Sequence, residues 1–308
     1  MHVVERLTRR STLGLILLFT LVMGSLPGAG QVRAQGATFE CPAAAAAASP
    51  ASAPAGGEAT PVAATATFPE GGGELTVFAA ASLTDAFELI KTELEAEYPD
   101  LTITYNFAGS QALVTQLDEG AAADVFASAN NAQMQAASDN GSIAGEPVTF
   151  VRNRLAIVTP AANPAAIASA ADLGNPDLRL VLAQAEVPVG RYAREAVCTM
   201  GADTATYGDG FVARVAGNVV SEEEDVRDVL AKVQLGEADA GIVYVSDAAI
   251  AADEVQLIDI PEDVNIIATY PIAAVTDGER ALADAFIAYL LSDEGQSTLV
   301  SFGFEPVA

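Results

Sequence analysis

From residue 74 onward, apolar positions arrive in short runs that alternate with stretches of helical spacing. The run at 75–80, LTVFAA, is apolar at every position but Thr76, as expected of a strand covered on both faces. Residues 83–98 follow, where Leu83, Ala86, Phe87, Ile90 and Leu94 recur at the intervals that place them on one helical face. The same reading predicts a strand at 101–107, a helix at 110–119 and a short strand at 124–128. Further strands are expected at 155–159 and 178–183, helices at 189–200 and 222–235, and a buried strand at 240–245. A strand at 271–276 and helices at 279–291 and 294–302 close the chain. Such alternation predicts an α/β fold with mostly parallel sheets covered on both faces.

The pattern is different before residue 74. Arg6, Arg9 and Arg10 precede an apolar stretch at 11–26, and Val32-Arg33-Ala34 offers a small-residue cleavage site. This is the layout of an export signal over 1–34, and Thr8-Arg9-Arg10-Ser11 also suits a twin-arginine route. Residues 35–73 are rich in Ala, Pro, Ser, Thr and Gly without periodicity, and read as a disordered tether. The mature protein is therefore expected to be exported, in the periplasm or on the outer face of the cytoplasmic membrane.

Charge and composition then exclude several chemistries. The formal net charge is −27, and removing residues 1–34 takes away four arginines and one glutamate, leaving −30. A nucleic acid needs several cationic contacts, and a surface of this sign repels it. The only histidine is His2, so residues 35–308 hold no Ser-His-Asp triad and no histidine metal site. With no tryptophan, 6% aromatic residues and no phosphate-binding glycine motif after a strand, an enzyme is not expected. The two cysteines, Cys41 and Cys198, would meet an oxidising compartment. They either bridge the N-terminal segment to the helix carrying Cys198 or stay apart, the bridge being preferred. Glu40 directly before Cys41 argues against a lipid-attachment site.

Five turns place hydroxyls or small residues where a helix begins, and helix starts present unpaired N–H groups and a positive dipole end to anions. They are Ala80-Ala81-Ser82-Leu83-Thr84-Asp85, Phe107-Ala108-Gly109-Ser110-Gln111, Pro188-Val189-Gly190-Arg191-Tyr192, Glu222-Glu223-Glu224-Asp225-Val226-Arg227 and the strand end leading into Tyr244-Val245-Ser246-Asp247. Each has a bland reading. Ser82 with Asp85 is a capping-box pattern, Arg191 suits an exposed first turn, and the acids at 222–225 suit a solvated helix start.

In order and spacing, AAASLTDAF, FAGSQALVTQLDEGAAADVFASAN, VPVGRYAREAV, EEDVRDVLAKVQLGEADAGIVYVSDA and a closing SFGF resemble the molybdate-binding periplasmic protein family, the solute receptors of molybdate ABC transporters. The resemblance runs from about residue 74 to the end. It implies a two-lobed type II periplasmic solute-binding fold with the oxyanion in the interlobe cleft, residues 74–151 plus 247–308 forming one lobe and 152–246 the other. By the motifs, Ser82 and Ser110 would offer hydroxyl and backbone N–H, Val189 and Val226 backbone N–H, and Tyr244 its hydroxyl. Val189 stands where the family usually has alanine. The resemblance further implies molybdate or tungstate as ligand, no cofactor, no metal apart from Mo carried as molybdate, a membrane permease as partner, and a monomer. Alternatives are another oxyanion such as sulfate or phosphate on the same fold, or a carboxylate-based enzyme on the same scaffold.

Overall fold

The computed structural model describes residues 37, 39–41 and 67–307. The expected signal at 1–34 and most of the tether lie outside the described residues. The first half of the fold is built from β1 (Gly73–Ala80), α1 (Thr84–Glu97), β2 (Leu101–Ala108), α2 (Ser110–Asp118), β3 (Val125–Ala127) and α3 (Asn131–Asp139). The long strand β4 (Ile143–Pro160) leads into β5 (Leu180–Ala183), α4 (Pro188–Ala202), α5 (Thr204–Tyr207) and α6 (Phe211–Asn218). Then come β6 (Val219–Glu223), α7 (Val226–Gln234), β7 (Ala240–Tyr244), α8 (Val245–Ile250) and β8 (Val255–Asp259). The chain returns through β9 (Ile267–Val275), α9 (Arg280–Leu291), α10 (Asp293–Ser301) and β10 (Glu305–Pro306).

The strands follow the order β2-β1-β3-β9-β4-β7-β5-β6, with β8 and β10 also pairing to β4. The expectation of mostly parallel sheets needs correction. The outer groups β2-β1-β3 and β7-β5-β6 are parallel, but β9 and β4 run antiparallel to each other and to the strands beside them. The reason is topological: β4 carries the chain out of the first sheet and β9 brings it back through the same seam, so the two must point in opposite directions.

The passage between the sheets is sharply located. β4 pairs with β9 as far as Arg154 opposite Ile267, and with β7 from Leu155 opposite Tyr244 onward. β8 still belongs to the second sheet, with Ala156 opposite Asp259, so the return lies between Asp259 and Ile267. The sequence reading places these passages at 151/152 and 246/247, whereas the strand pairing changes at 154/155 and, because β8 pairs in the second sheet, between Asp259 and Ile267. Asn265 stitches the return segment to β4, its Nδ2 donating to the Leu155 carbonyl at 2.9 Å and its Oδ1 accepting the Leu155 N–H at 3.1 Å.

Both ends of the expected tether that fall among the described residues are held rather than free. Cys41 is bonded to Cys198 of α4, with 5.5 Å between their Cα atoms, and Arg194 lies over the Phe39 ring at 5.4 Å. At the other end Phe68 is buried, its ring 4.9 Å from that of Tyr98. An aromatic side chain buries ~150–250 Å², which offsets the entropy of ordering a few residues of an otherwise polar segment.

Candidate functional site

Each of the five turns lies at the C-terminal end of a parallel strand: β1 leads to Ser82, β2 to Ser110, β5 to Val189, β6 to Val226, and Tyr244 ends β7. In open α/β sheets ligands bind at those carboxyl ends, where the following helices begin. The two parallel groups turn these ends toward one another, and all five residues line one small cavity together with Ala80, Ala81, Ala108, Gly109, Ala129, Val187, Pro188 and Asp225. Two lie on the first sheet and three on the second, and all are at most 4% exposed.

The local chemistry leaves these helix starts open. Ser82 sits in a 3-10 turn, Ala81–Leu83, and is not the cap of α1; that position belongs to Leu83, with no side-chain bond. The capping-box reading of Ser82 therefore does not hold. Its hydroxyl instead meets the Tyr270 hydroxyl at 2.9 Å, in a fully buried pair. Helix α2 begins at Ser110 after Gly109, and α4 begins at Pro188 after Val187, again with no capping side chain. Proline at that first position has no N–H to leave unpaired. Ser110 Oγ accepts the Ala129 N–H at 3.1 Å, so its own proton remains available to donate.

Helix α7 differs, and corrects the expected helix over 222–235. Residues 222 and 223 end strand β6, and Asp225 alone caps α7, its Oδ1 accepting the N–H groups of Arg227 at 2.7 Å and Asp228 at 3.1 Å. A carboxylate does line the cavity here, but one of its oxygens is committed to this cap. The Val226 N–H, first in the helix, lies outside the reach of any intrahelical carbonyl. Arg191 does not face the cavity as a charge; it pairs with Glu195 at 2.8 Å on the exposed side of α4.

Tyr244 carries the clearest sign of a ligand. Its hydroxyl is buried and, although the Tyr270 hydroxyl is close enough to act on it, makes no aligned hydrogen bond, where such groups are nearly always satisfied. Burial, and then the neighbouring Tyr270, pushes its pKa well above the ordinary tyrosine value, so it stays a neutral donor. Tyr270, on β9, is held neutral by burial in the same way. Sequence reasoning missed it; the signal is one hydroxylated aromatic on a strand that is apolar apart from Thr269.

Glycines let the backbones close in. A Cβ on Gly109 would stand 2.6 Å from the Glu224 carbonyl oxygen of the opposite half, and one on Gly190 would stand 2.0 Å from the Gln184 carbonyl oxygen. Hydrogen bonds span the two halves beside the cavity, among them Gln111 Nε2 to the Glu224 carbonyl at 2.8 Å and Gln133 Nε2 to the Glu186 carbonyl at 3.0 Å. The arrangement is a ring of neutral donors suited to an anion with acceptor oxygens on every side. Among the described residues no group of three or more His, Cys, Asp or Glu could hold a metal ion.

The family model for bacterial extracellular solute-binding proteins matches residues 75–305. The chain is similar to the molybdate-binding protein ModA of Mycobacterium tuberculosis, 40% identical over 257 residues, which cover 83% of this chain and 89% of that protein. It is 34% identical over 240 residues to the molybdate-binding protein ModA of Escherichia coli, covering 75% and 89%. Among solved structures, the periplasmic molybdate-binding protein of Azotobacter vinelandii has the same fold, with a TM-score of 0.66 at 16% identity, over 76% of this chain and all of that one (100%).

Proposed function

The chain belongs to the bacterial extracellular solute-binding proteins and, within them, to the molybdate-binding proteins, and on that premise we propose that it is a receptor that binds molybdate and delivers it to an ABC transporter. It acts outside the cytoplasmic membrane, as a binding protein and not an enzyme. The observation that carries this reading is the convergence of five residues from two sheets, 162 positions apart at the extremes (82 to 244), on one cavity containing an unpartnered buried hydroxyl. A tetrahedral dianion supplies the acceptors that Ser82, Ser110, Tyr244 and the backbone N–H groups of Val189 and Val226 await. Hydrogen bonds to a charged group are worth ~1.5–3 kcal/mol each, enough together for tight binding without any cationic ligand.

Local dipoles thus decide, and the overall negative charge does not prevent capture of an anion. Tungstate is close in size and charge to molybdate and is proposed as a second ligand. The partner is a membrane permease with its ATPase, the receptor acting as a monomer whose two halves are the lobes of a closing cleft. Calorimetric titration with molybdate, tungstate, sulfate and phosphate tests this. One-to-one binding of the first two, with the last two at least ~100-fold weaker, is expected, a gap of about 2.7 kcal/mol. Preference for phosphate would instead assign the free oxygen of Asp225 to a protonated ligand oxygen, and no heat with any of the four would overturn the reading.

A further inference from the structure

One charged side chain at the cavity belongs to no ligand-facing set. Arg227 follows Val226 in the first turn of α7, on the second sheet, and its guanidinium crosses the cleft to Asp85 of α1, on the first sheet: Nη1 lies 2.8 Å from Asp85 Oδ2. Its Nη2 also donates to the Ser82 carbonyl at 3.4 Å. On its own side, Nε lies 3.0 Å from Asp247 Oδ1. The carboxylate of Asp247, fully buried, accepts the Tyr244 N–H through Oδ2 at 3.1 Å. One guanidinium, carried by the residue after Val226, therefore touches the turn of Ser82 and, through Asp247, is linked to the backbone of Tyr244.

We propose that Arg227 is the positioning residue that couples cleft closure to ligand capture, its bridge to Asp85 forming when the halves close and breaking when they open. This rests on the function proposed above and adds a residue to it. The two pairings have different fates on opening. Arg227 and Asp247 sit on the same half and stay together, whereas Asp85 and the Ser82 carbonyl leave with the other half. Neither ion pair is an aligned hydrogen bond, because Arg227 Nε, Asp85 Oδ2 and Asp247 Oδ1 all lack one. The attraction is coulombic, which tolerates the small misalignments of a contact repeatedly made and broken. The Asp85 side chain is 43% exposed and that of Arg227 24%, so water reaches the bridge as the halves part. Asp247 keeps the guanidinium aimed across the cleft in both states.

The bridge forms only in the closed state, so its loss should appear in the release rate and not in association. Stopped-flow and calorimetric measurement of molybdate binding to wild type, Asp85→Asn, Arg227→Met and the double variant tests this. Asp85→Asn is expected to release molybdate roughly 5-fold faster, with association and the melting temperature of the ligand-free protein unchanged. Arg227→Met, which also strands the Asp247 charge, is expected to release faster still and to lower that melting temperature. The double variant should release no faster than Arg227→Met, because both substitutions remove one bridge. Wild-type release rates in both single variants, or effects that simply multiply in the double variant, would overturn the bridge while leaving the receptor reading intact. A wild-type protein that binds no molybdate overturns both.

Discussion

Ser82, Ser110 and Tyr244 show how residue identity and residue environment divide the information. The two serines are legible from sequence as small donors at helix starts, but their second partners, the Tyr270 hydroxyl and the Ala129 N–H, come from distant strands and loops. Replacing Ser82 or Ser110 by alanine is expected to weaken molybdate binding by ~1–2 kcal/mol each, measured by calorimetry, with the fold retained. From sequence Tyr244 looks the least critical of the three, since its hydroxyl could have reached any carbonyl. The structure leaves that hydroxyl unpartnered, so Tyr244→Phe is expected to cost at least as much as either serine. Asp247 is a residue of another kind: burial raises its pKa from 3.8 to about 6 against the opposing pull of Arg227. The folded state then binds its proton more tightly than the unfolded state does. Its contribution to stability is accordingly greatest at low pH and is lost as pH rises toward about 6. Denaturant titrations between pH 4 and 7 should show a decline with pH in the wild type that is reduced in Asp247→Asn.

At the scale of elements, apolar periodicity located those that bury a continuous stripe and missed those held by context. Helix α1, with Ala86, Phe87, Ile90 and Leu94 buried, and β7, buried at every position, are of the first kind. Helix α3 buries only Met134 and Ala137, and its start is set by Asn130 accepting the Gln133 N–H, so its pattern is too thin to read. The last two residues of β6 fall in the helix expected at 222–235 because Glu222 and Glu223 look like first-turn acids. Pairing with β5 decides otherwise, and Glu222 also meets Arg194 there. Helix α4 is the element where a small change should matter most. Gly190→Ala would drive a methyl against the Gln184 and Ala183 carbonyls, at 2.0 and 2.5 Å, and so push the Val189 N–H out of the cavity. A stability loss of ~1–3 kcal/mol by chemical denaturation, together with loss of most molybdate affinity, is expected.

For the whole molecule, the formal charge of −27 sets the field through which a dianion must approach. Repulsion of like charges slows encounter and is screened by salt, so the association rate for molybdate should rise between 10 and 300 mM sodium chloride. The Cys41–Cys198 bond closes a loop of 157 residues and secures Phe39 beneath Arg194. Its removal in Cys41→Ala/Cys198→Ala is expected to cost ~2–4 kcal/mol, read as a lower melting temperature. The sequence by itself determined the alternation of strands and helices, the absence of catalytic histidine chemistry, and the five turns whose small residues expose helix-start donors. These follow from local patterning, because a side chain's size and the spacing of apolar positions act within a few residues. Tertiary structure alone decided the antiparallel passage of β4 and β9, the joining of those turns into one cavity, and the partners of Tyr270, Asp247 and Arg227. Those depend on which strand lies beside which, and burial and pairing between residues so far apart along the chain leave no local trace.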